Sequence, residues 1–431
     1  MLDKIFRLEE RGTSLKTETV AGMTTFLTMV YIVIVNPAIL SQAGVPFEQV
    51  FMATIISAAV GTLYMALFAN YPIAIAPGMG LNAYFASVVG TYGLTYQTVF
   101  AAVFCAGVLF ILLSLTSFRE HLIKAIPGAL KYGITSGIGL FIAFIGLRTA
   151  GLIQPDEATV VAPGDIHDPG TMLAIIGLII TLILMTLKVK AALFIGMLVT
   201  ALIGYVQGLL TFNGLFSMPS APVFFDLDFA GVWQHGLYAV IFAFLLVTLF
   251  DTTGTMIGVA EQAGLLKDTG EFPKAKHALM ADAVGTTVGA GLGTSPTSAY
   301  IESSSGVAVG GRTGLTAVTT AGLLLLAMFL SPMIEAIAAL PAITAPVLII
   351  VGSFMMESVS KISWDQFDEA FPAFTIMIAM PLTSSIATGI ALGFIIYPIL
   401  KITSGKWRQV HPLVYAFGVI FALQMIFFPV H

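Results

Sequence analysis

Apolar runs recur from one end of this chain to the other, each long enough to cross a ~30 Å hydrocarbon layer as a helix. A transmembrane barrel would instead show ~10-residue segments of alternating polarity. Here the apolar stretches are continuous, so helices are predicted. Composition agrees: 10% of the 431 residues are charged and 58% hydrophobic, against roughly 25% charged in soluble domains. Solvated surface therefore cannot be the main surface. The reading is an all-α integral membrane protein with fourteen spans. They fall near 17–40, 50–69, 77–90, 97–117, 126–148, 170–188, 190–211, 235–263, 277–291, 297–309, 313–333, 341–357, 366–381 and 384–401. The apolar segment 411–428 fits a further span or an interfacial helix.

Charge distribution orients this topology through the excess of Lys and Arg in cytoplasmic loops. With the N-terminus inside, Lys4, Arg7, Arg11 and Lys16 are cytoplasmic, as are Arg119, Lys124, Lys131, Lys188, Lys190, Lys267, Lys274 and Lys276. Arg312, Lys361, Lys401, Lys406 and Arg408 follow on the same side, and Arg148 alone falls opposite. The loops 149–169 and 212–232 carry several Asp and no Lys or Arg. Residues 1–16 read as a short charged cytosolic helix without the apolar core of a secretory signal. Cys105 is the single cysteine and lies in an apolar run, so neither a disulfide nor a thiolate cluster is expected.

Two segments break the pattern. Residues 70–90 read NYPIAIAPGMGLNAYFASVVG, and residues 289–310 read GAGLGTSPTSAYIESSSGVAVG. Both are Gly-rich, both place a Pro (Pro77, Pro296) before a stretch that can be helical, and they lie half a chain apart. Gly and Pro are common in membrane helices, which accounts for isolated residues better than for two matched clusters. Interrupted spans in corresponding halves point to inverted repeats and a binding site near the midplane. Seven spans per half would make the repeats 1–211 and 212–431.

Most acidic residues map to loops. Asp251 lies deep in the eighth span and Glu302 in the short helix after Pro296. A charge at bilayer depth costs several kcal/mol unless paired, neutralised or hydrated, and no Lys or Arg lies at matching depth. Both should therefore face a polar cavity, and either suits proton coupling; the bland alternative is a structural carboxyl at a helix break. Asn82 is the matching polar residue of the first broken span. Helix N-termini at Gly78–Gly80 and Thr297–Ser298 are expected to aim free N–H groups into the same space. Two acceptor carboxylates, one amide and backbone donors suit a planar, neutral, hydrogen-bond-rich ligand such as a nucleobase, and not an anion. Thr252, Thr253, Thr255, Tyr84, Phe85 and Tyr300 are secondary candidates. Threonines in helices commonly bond their own carbonyls, and aromatics commonly pack. Glu261 and Asp282 read as solvated or structural, and Glu335 and Asp368 as loop residues tolerant of amide substitution. The six His form no metal constellation, and GGRTGLT (310–316) lacks phosphate-loop spacing. No cofactor, metal or nucleic-acid partner is expected, and an ion gradient is the expected energy source.

Three stretches together resemble one family: APGMGLNAYF (76–85), LFDTTGTMIGVAEQAGLL (249–266) and GTSPTSAYIESSSGVAVGGRTGLT (293–316). They look like the AzgA-like hypoxanthine/guanine permeases of the nucleobase/ascorbate transporter superfamily. The likeness extends to VYIVIVNPAIL near the start and MPLTSSIATGIALG near the end. It implies two inverted repeats of seven spans, with a core of spans 1–4 and 8–11 and a gate of spans 5–7 and 12–14. It implies short strands before the half-helices, at Ile73–Pro77 and about Gly293–Pro296. It further implies proton-driven purine uptake across the cell membrane, homodimers in relatives, and binding positions at Asn82, Asp251 and Glu302. Tyr300 falls in a Tyr-x-Glu pattern shared with uracil and xanthine carriers. The rivals are an adenine, xanthine or uracil carrier of this fold, an anion exchanger, a channel, and an enzyme. Absent basic partners disfavour the exchanger, the broken spans disfavour a simple pore, and no nucleophile–base pair supports an enzyme.

Overall fold

The computed structural model describes residues 5–116, 125–212, 214–265 and 273–427. Lys4, Arg119, Lys124 and Lys267, named above for topology, lie outside them. Every predicted span contains a helix. The first divides into α1 (Leu15–Met29) and α2 (Ile32–Gln42); α3 (Phe47–Tyr64) is the second. Strand β1 (Ile75–Pro77) and α4 (Met79–Tyr92) form the third, α5 (Tyr96–Leu115) the fourth and α6 (Gly128–Thr149) the fifth. A hairpin of β2 (Ile153–Asp156) and β3 (Val160–Pro163) precedes α7 (Pro169–Thr186) and α8 (Ala192–Val206). The second half runs α9 (Phe229–Gln234), α10 (Tyr238–Gln262), α11 (Ala275–Leu292), β4 (Thr297–Ala299) and α12 (Ser303–Val309). It ends with α13 (Gly314–Leu326), α14 (Ser331–Ala338), α15 (Pro341–Met355), α16 (Phe367–Thr383), α17 (Ile386–Thr403) and α18 (Pro412–Phe427). Nine helical segments among the described residues are long and apolar enough to cross a membrane.

The helices pack as two bodies. In one, α11 lies against α3 and α5, and α13 and α12 lie against α1. In the other, α6 is wrapped by α15 and α16, with α7 against α8 and α17 against α16. The last helix, α18, joins α17 and wedges Phe417 and Phe421 against Phe242 of α10 and Phe394 of α17.

At the centre, β1 and β4 pair antiparallel, with Ile75 opposite Ala299, Ala76 opposite Ser298 and Pro77 opposite Thr297. The pairing is extended by Gly78 N–H to the Pro296 carbonyl and Tyr300 N–H to the Ala74 carbonyl, each 3.0 Å. This corrects the expected second strand, which lies after Pro296 and not before it. The reason is local. Gly293, at φ 101°, and Thr294 still cap α11, their N–H groups both reaching the Gly289 carbonyl at 2.9 Å. Only from the Pro296 carbonyl onward does the backbone pair. Thr297 and Ser298 are therefore strand residues, and the helix expected to begin there starts at Ser303.

Three further expectations change. Residues 5–6 are helical but 8–12 form turns, with Phe6 and Leu8 buried against Leu315. The loop after α6 holds the β2–β3 hairpin; in its turn the Thr159 N–H and hydroxyl hold the Asp156 carboxyl below the ordinary carboxylate range. Asp368 is no loop residue: it sits in the first turn of α16, 7% exposed, 2.7 Å from Lys401 and 3.0 Å from Lys406. Asp368→Asn is accordingly expected to cost about 1–3 kcal/mol, the usual result of stripping a buried charged hydrogen bond. Glu335→Gln, exposed on α14, should stay within about 0.5 kcal/mol. Thermal melts of the two purified variants check the contrast.

Candidate functional site

The β1–β4 pair is the scaffold of the site. The strands are antiparallel, so the helices that follow them leave in opposite directions from a shared centre. Asn82 lies in the first turn of α4, and Glu302 is the N-cap of α12. Asp251 reaches the same centre from α10, where the Ser298 hydroxyl lies near its carboxyl. Asp251 and Glu302 are close enough to interact electrostatically, and both are half-buried. Among the described residues neither has a Lys or Arg partner.

Asn82 is fully buried and lopsided in its bonding. Its Oδ1 accepts from Ser295 Oγ at 2.5 Å, whereas its Nδ2 has no partner among the described residues. A buried donor left without a partner costs about 1–3 kcal/mol, so such a group points to a ligand acceptor. Gly78 caps α4, and among the described residues no side chain bonds the first N–H groups of that helix. A Cβ on Gly78 would lie 2.9 Å from Ser298 Oγ, so glycine is what lets the two strands meet here.

The remaining sequence candidates divide. Thr297 is committed elsewhere: its hydroxyl donates to Asp282 Oδ1 at 2.7 Å and its N–H to Thr286 Oγ1 at 3.0 Å. Tyr300 donates to the Pro77 carbonyl at 2.6 Å, tying the two broken spans together. Gly80 faces the other body, where a Cβ would meet Ile138 Cγ2 of α6 at 2.4 Å. Thr253 bonds the Leu249 carbonyl of its own helix, and Thr252 donates to Asp282 at 2.5 Å. Asp282, fully buried, is thus structural and not solvated, while Glu261 is exposed. Phe85 packs on Phe100 and Tyr84 on Phe244; the Tyr84 hydroxyl, buried two residues past Asn82, has no partner among the described residues.

Tyr31, Asn36 and Ser295 escaped the sequence reading, and Ser298 entered it only as a backbone donor. Tyr31 donates to Glu302 Oε1. Asn36 donates to Thr54 at 2.6 Å and Thr294 at 2.7 Å, Ser295 bonds Asn82, and Ser298 lies near Asp251. Tyr31 and Asn36 both belong to the VYIVIVNPAIL stretch, where a Tyr and an Asn inside an apolar run were the available signal.

Comparison with known proteins decides the family. The model described as Permease family (Xan_ur_permease) matches residues 16–392. The chain belongs to this permease family. The permease is 60% identical to the guanine/hypoxanthine permease PbuO of Bacillus subtilis over 430 residues, covering 98% of this chain and 99% of that one. It is 45% identical to the adenine permease AdeP of Escherichia coli, covering 100% and 97%. Among solved structures, the transmembrane domain of the cyanobacterial bicarbonate transporter BicA matches with TM-score 0.65 at 17% identity, covering 86% of the permease and 97% of that chain. The murine anion transporter Slc26a9 matches with TM-score 0.66 at 11% identity, covering 90% and 68%. The fold is thus two inverted repeats of seven spans, and the permease is a multi-pass membrane transporter, not an enzyme.

Proposed function

We propose that this permease imports purine nucleobases, hypoxanthine and guanine foremost, together with protons. The carrying observation is the polar set around the β1–β4 pair: among the described residues, two carboxyls have no basic partner and the NH₂ of a buried amide is unengaged. Asp251 and Glu302 accept purine N–H groups, and one of them also takes the proton. Asn82 Nδ2 and the first N–H groups of α4 meet the ring acceptors. Relatives named for guanine and hypoxanthine support this choice. The adenine permeases AdeQ and AdeP, each 45% identical, make adenine the second reading. An anion would meet two carboxyls and, among the described residues, no cation paired with them.

The repeats divide at residues 1–211 and 212–431. Spans 1–4 and 8–11 form the moving core, and spans 5–7 and 12–14 the gate, in a cell-membrane protein with a cytoplasmic N-terminus that pairs as a homodimer. Competition of unlabelled hypoxanthine, guanine, adenine, xanthine, uracil and bicarbonate against labelled hypoxanthine uptake tests the substrate; stronger competition by uracil or bicarbonate than by the purines would overturn it. Uptake should rise with an inward proton gradient. Dependence on Na⁺ together with indifference to a protonophore would sink proton coupling.

Gly80 supplies a test of core movement past the gate. Gly80→Ala pushes a methyl into Ile138 Cγ2, and overpacking of this kind costs about 1–3 kcal/mol. Uptake should fall roughly tenfold while hypoxanthine binding changes little, and adding Ile138→Ala should restore uptake. Equal losses of binding and uptake, unrelieved by the second substitution, would place Gly80 in the ligand site instead.

A further inference from the structure

We propose that Tyr31 is the positioning residue for Glu302, delivered to the site by the break in the first span. The inference rests on reading Glu302 as a purine-contacting carboxylate. Glu302 stands in the turn between β4 and α12, outside any regular ladder, and its side chain has three rotatable bonds. The Tyr31 hydroxyl donates to its Oε1, and from the same span Thr28 Oγ1 lies 3.4 Å from the Glu302 carbonyl oxygen. A phenol can only donate to an ionised carboxylate. Tyr31 therefore occupies one carboxyl oxygen and leaves Oε2 to accept from a ligand N–H, in one orientation.

Tyr31 itself has little freedom. Its ring is 1% exposed, and it sits at the N-cap of α2, where the backbone tightens between Val30 and Ile34. Five residues on, Asn36 holds Thr294 and lies 3.5 Å from Ser295, whose hydroxyl engages Asn82. One broken span thus supports both binding side chains, and a site is only as well ordered as the groups holding its contacts.

Tyr31→Phe deletes one oxygen and keeps the ring. Hypoxanthine affinity of the purified full-length protein, by equilibrium dialysis, should fall about tenfold, the scale of one charge-assisted hydrogen bond, with the melting temperature unchanged. In a Glu302→Asp background, whose carboxyl stops one methylene short of the hydroxyl, the same substitution should add less than a twofold loss, because the coupled pair is already broken. A Tyr31→Phe protein that binds like the parent, or fails to run as a single species, overturns the positioning role. So does a loss undiminished in the Glu302→Asp background, which would mean Tyr31 acts through something other than Glu302. A parent protein that binds no purine removes the site assignment itself, and the role of Tyr31 with it.

Discussion

Glu302→Gln should weaken hypoxanthine binding by about ten- to a hundredfold while leaving the melting temperature close to the parent's. The amide keeps one acceptor oxygen, which Tyr31 can still engage. The other oxygen becomes an NH₂ facing the N–H that the carboxylate accepted. Two donors then meet where a donor met an acceptor, and an unsatisfied buried polar group costs about 1–3 kcal/mol. Asp251→Asn repeats the change on α10, where the Ser298 hydroxyl lies near the carboxyl. In the proposed site the two carboxyls share a ligand, so the double variant should lose less than the sum of the single losses. Equilibrium binding on size-checked protein is the measurement. Parent-like binding and uptake by both single variants would make the carboxyls structural.

The second large effect concerns folding. Glu18, in the first turn of α1, is fully buried. Its Oε1 accepts from Arg312 N–H at 2.8 Å; its Oε2 accepts from the hydroxyls of Thr313 at 2.8 Å and Thr316 at 2.6 Å and from Thr316 N–H at 3.1 Å. A single carboxylate thus caps the start of α13 from a span in the other repeat. Each hydrogen bond to a charged group contributes about 1.5–3 kcal/mol, and each buried donor left behind costs a similar amount. Glu18→Ala should therefore remove several kcal/mol, enough to lose monodisperse protein in detergent, with Glu18→Gln intermediate. An alanine variant melting within two degrees of the parent would show that water serves these donors equally well.

The spans were legible because length and hydropathy are local properties: a run of apolar residues is visible without knowing its neighbours. Asn82, Asp251 and Glu302 stood out for a related reason, since a polar side chain deep in such a run must have a use. Glu18 and Asp368 did not stand out. A carboxyl near the end of an apolar run looks the same in water as when it caps a helix 298 residues away or pairs with a lysine on the next span. Thr297 was misplaced because the α11 cap runs on to Thr294, a decision made by backbone hydrogen bonds that composition does not display. Tyr31 is the same kind of miss, an aromatic among aromatics until Glu302 is brought to it.

The small central sheet also bears on how the protein can be made. Its strands come from opposite repeats; Tyr300 bonds a carbonyl made 223 residues earlier. Until the tenth span enters the membrane, β1 presents backbone donors and acceptors to a medium that cannot satisfy them. Thr62 of α3 relieves part of this at once, bonding both the N–H of Ile75 at 2.9 Å and its carbonyl at 3.0 Å. A nascent chain can thus carry β1 through the membrane with its Ile75 edge already bonded to its own neighbouring helix, while the Ala74 carbonyl and the Gly78 N–H, on the opposite edge, wait for a partner still on the ribosome.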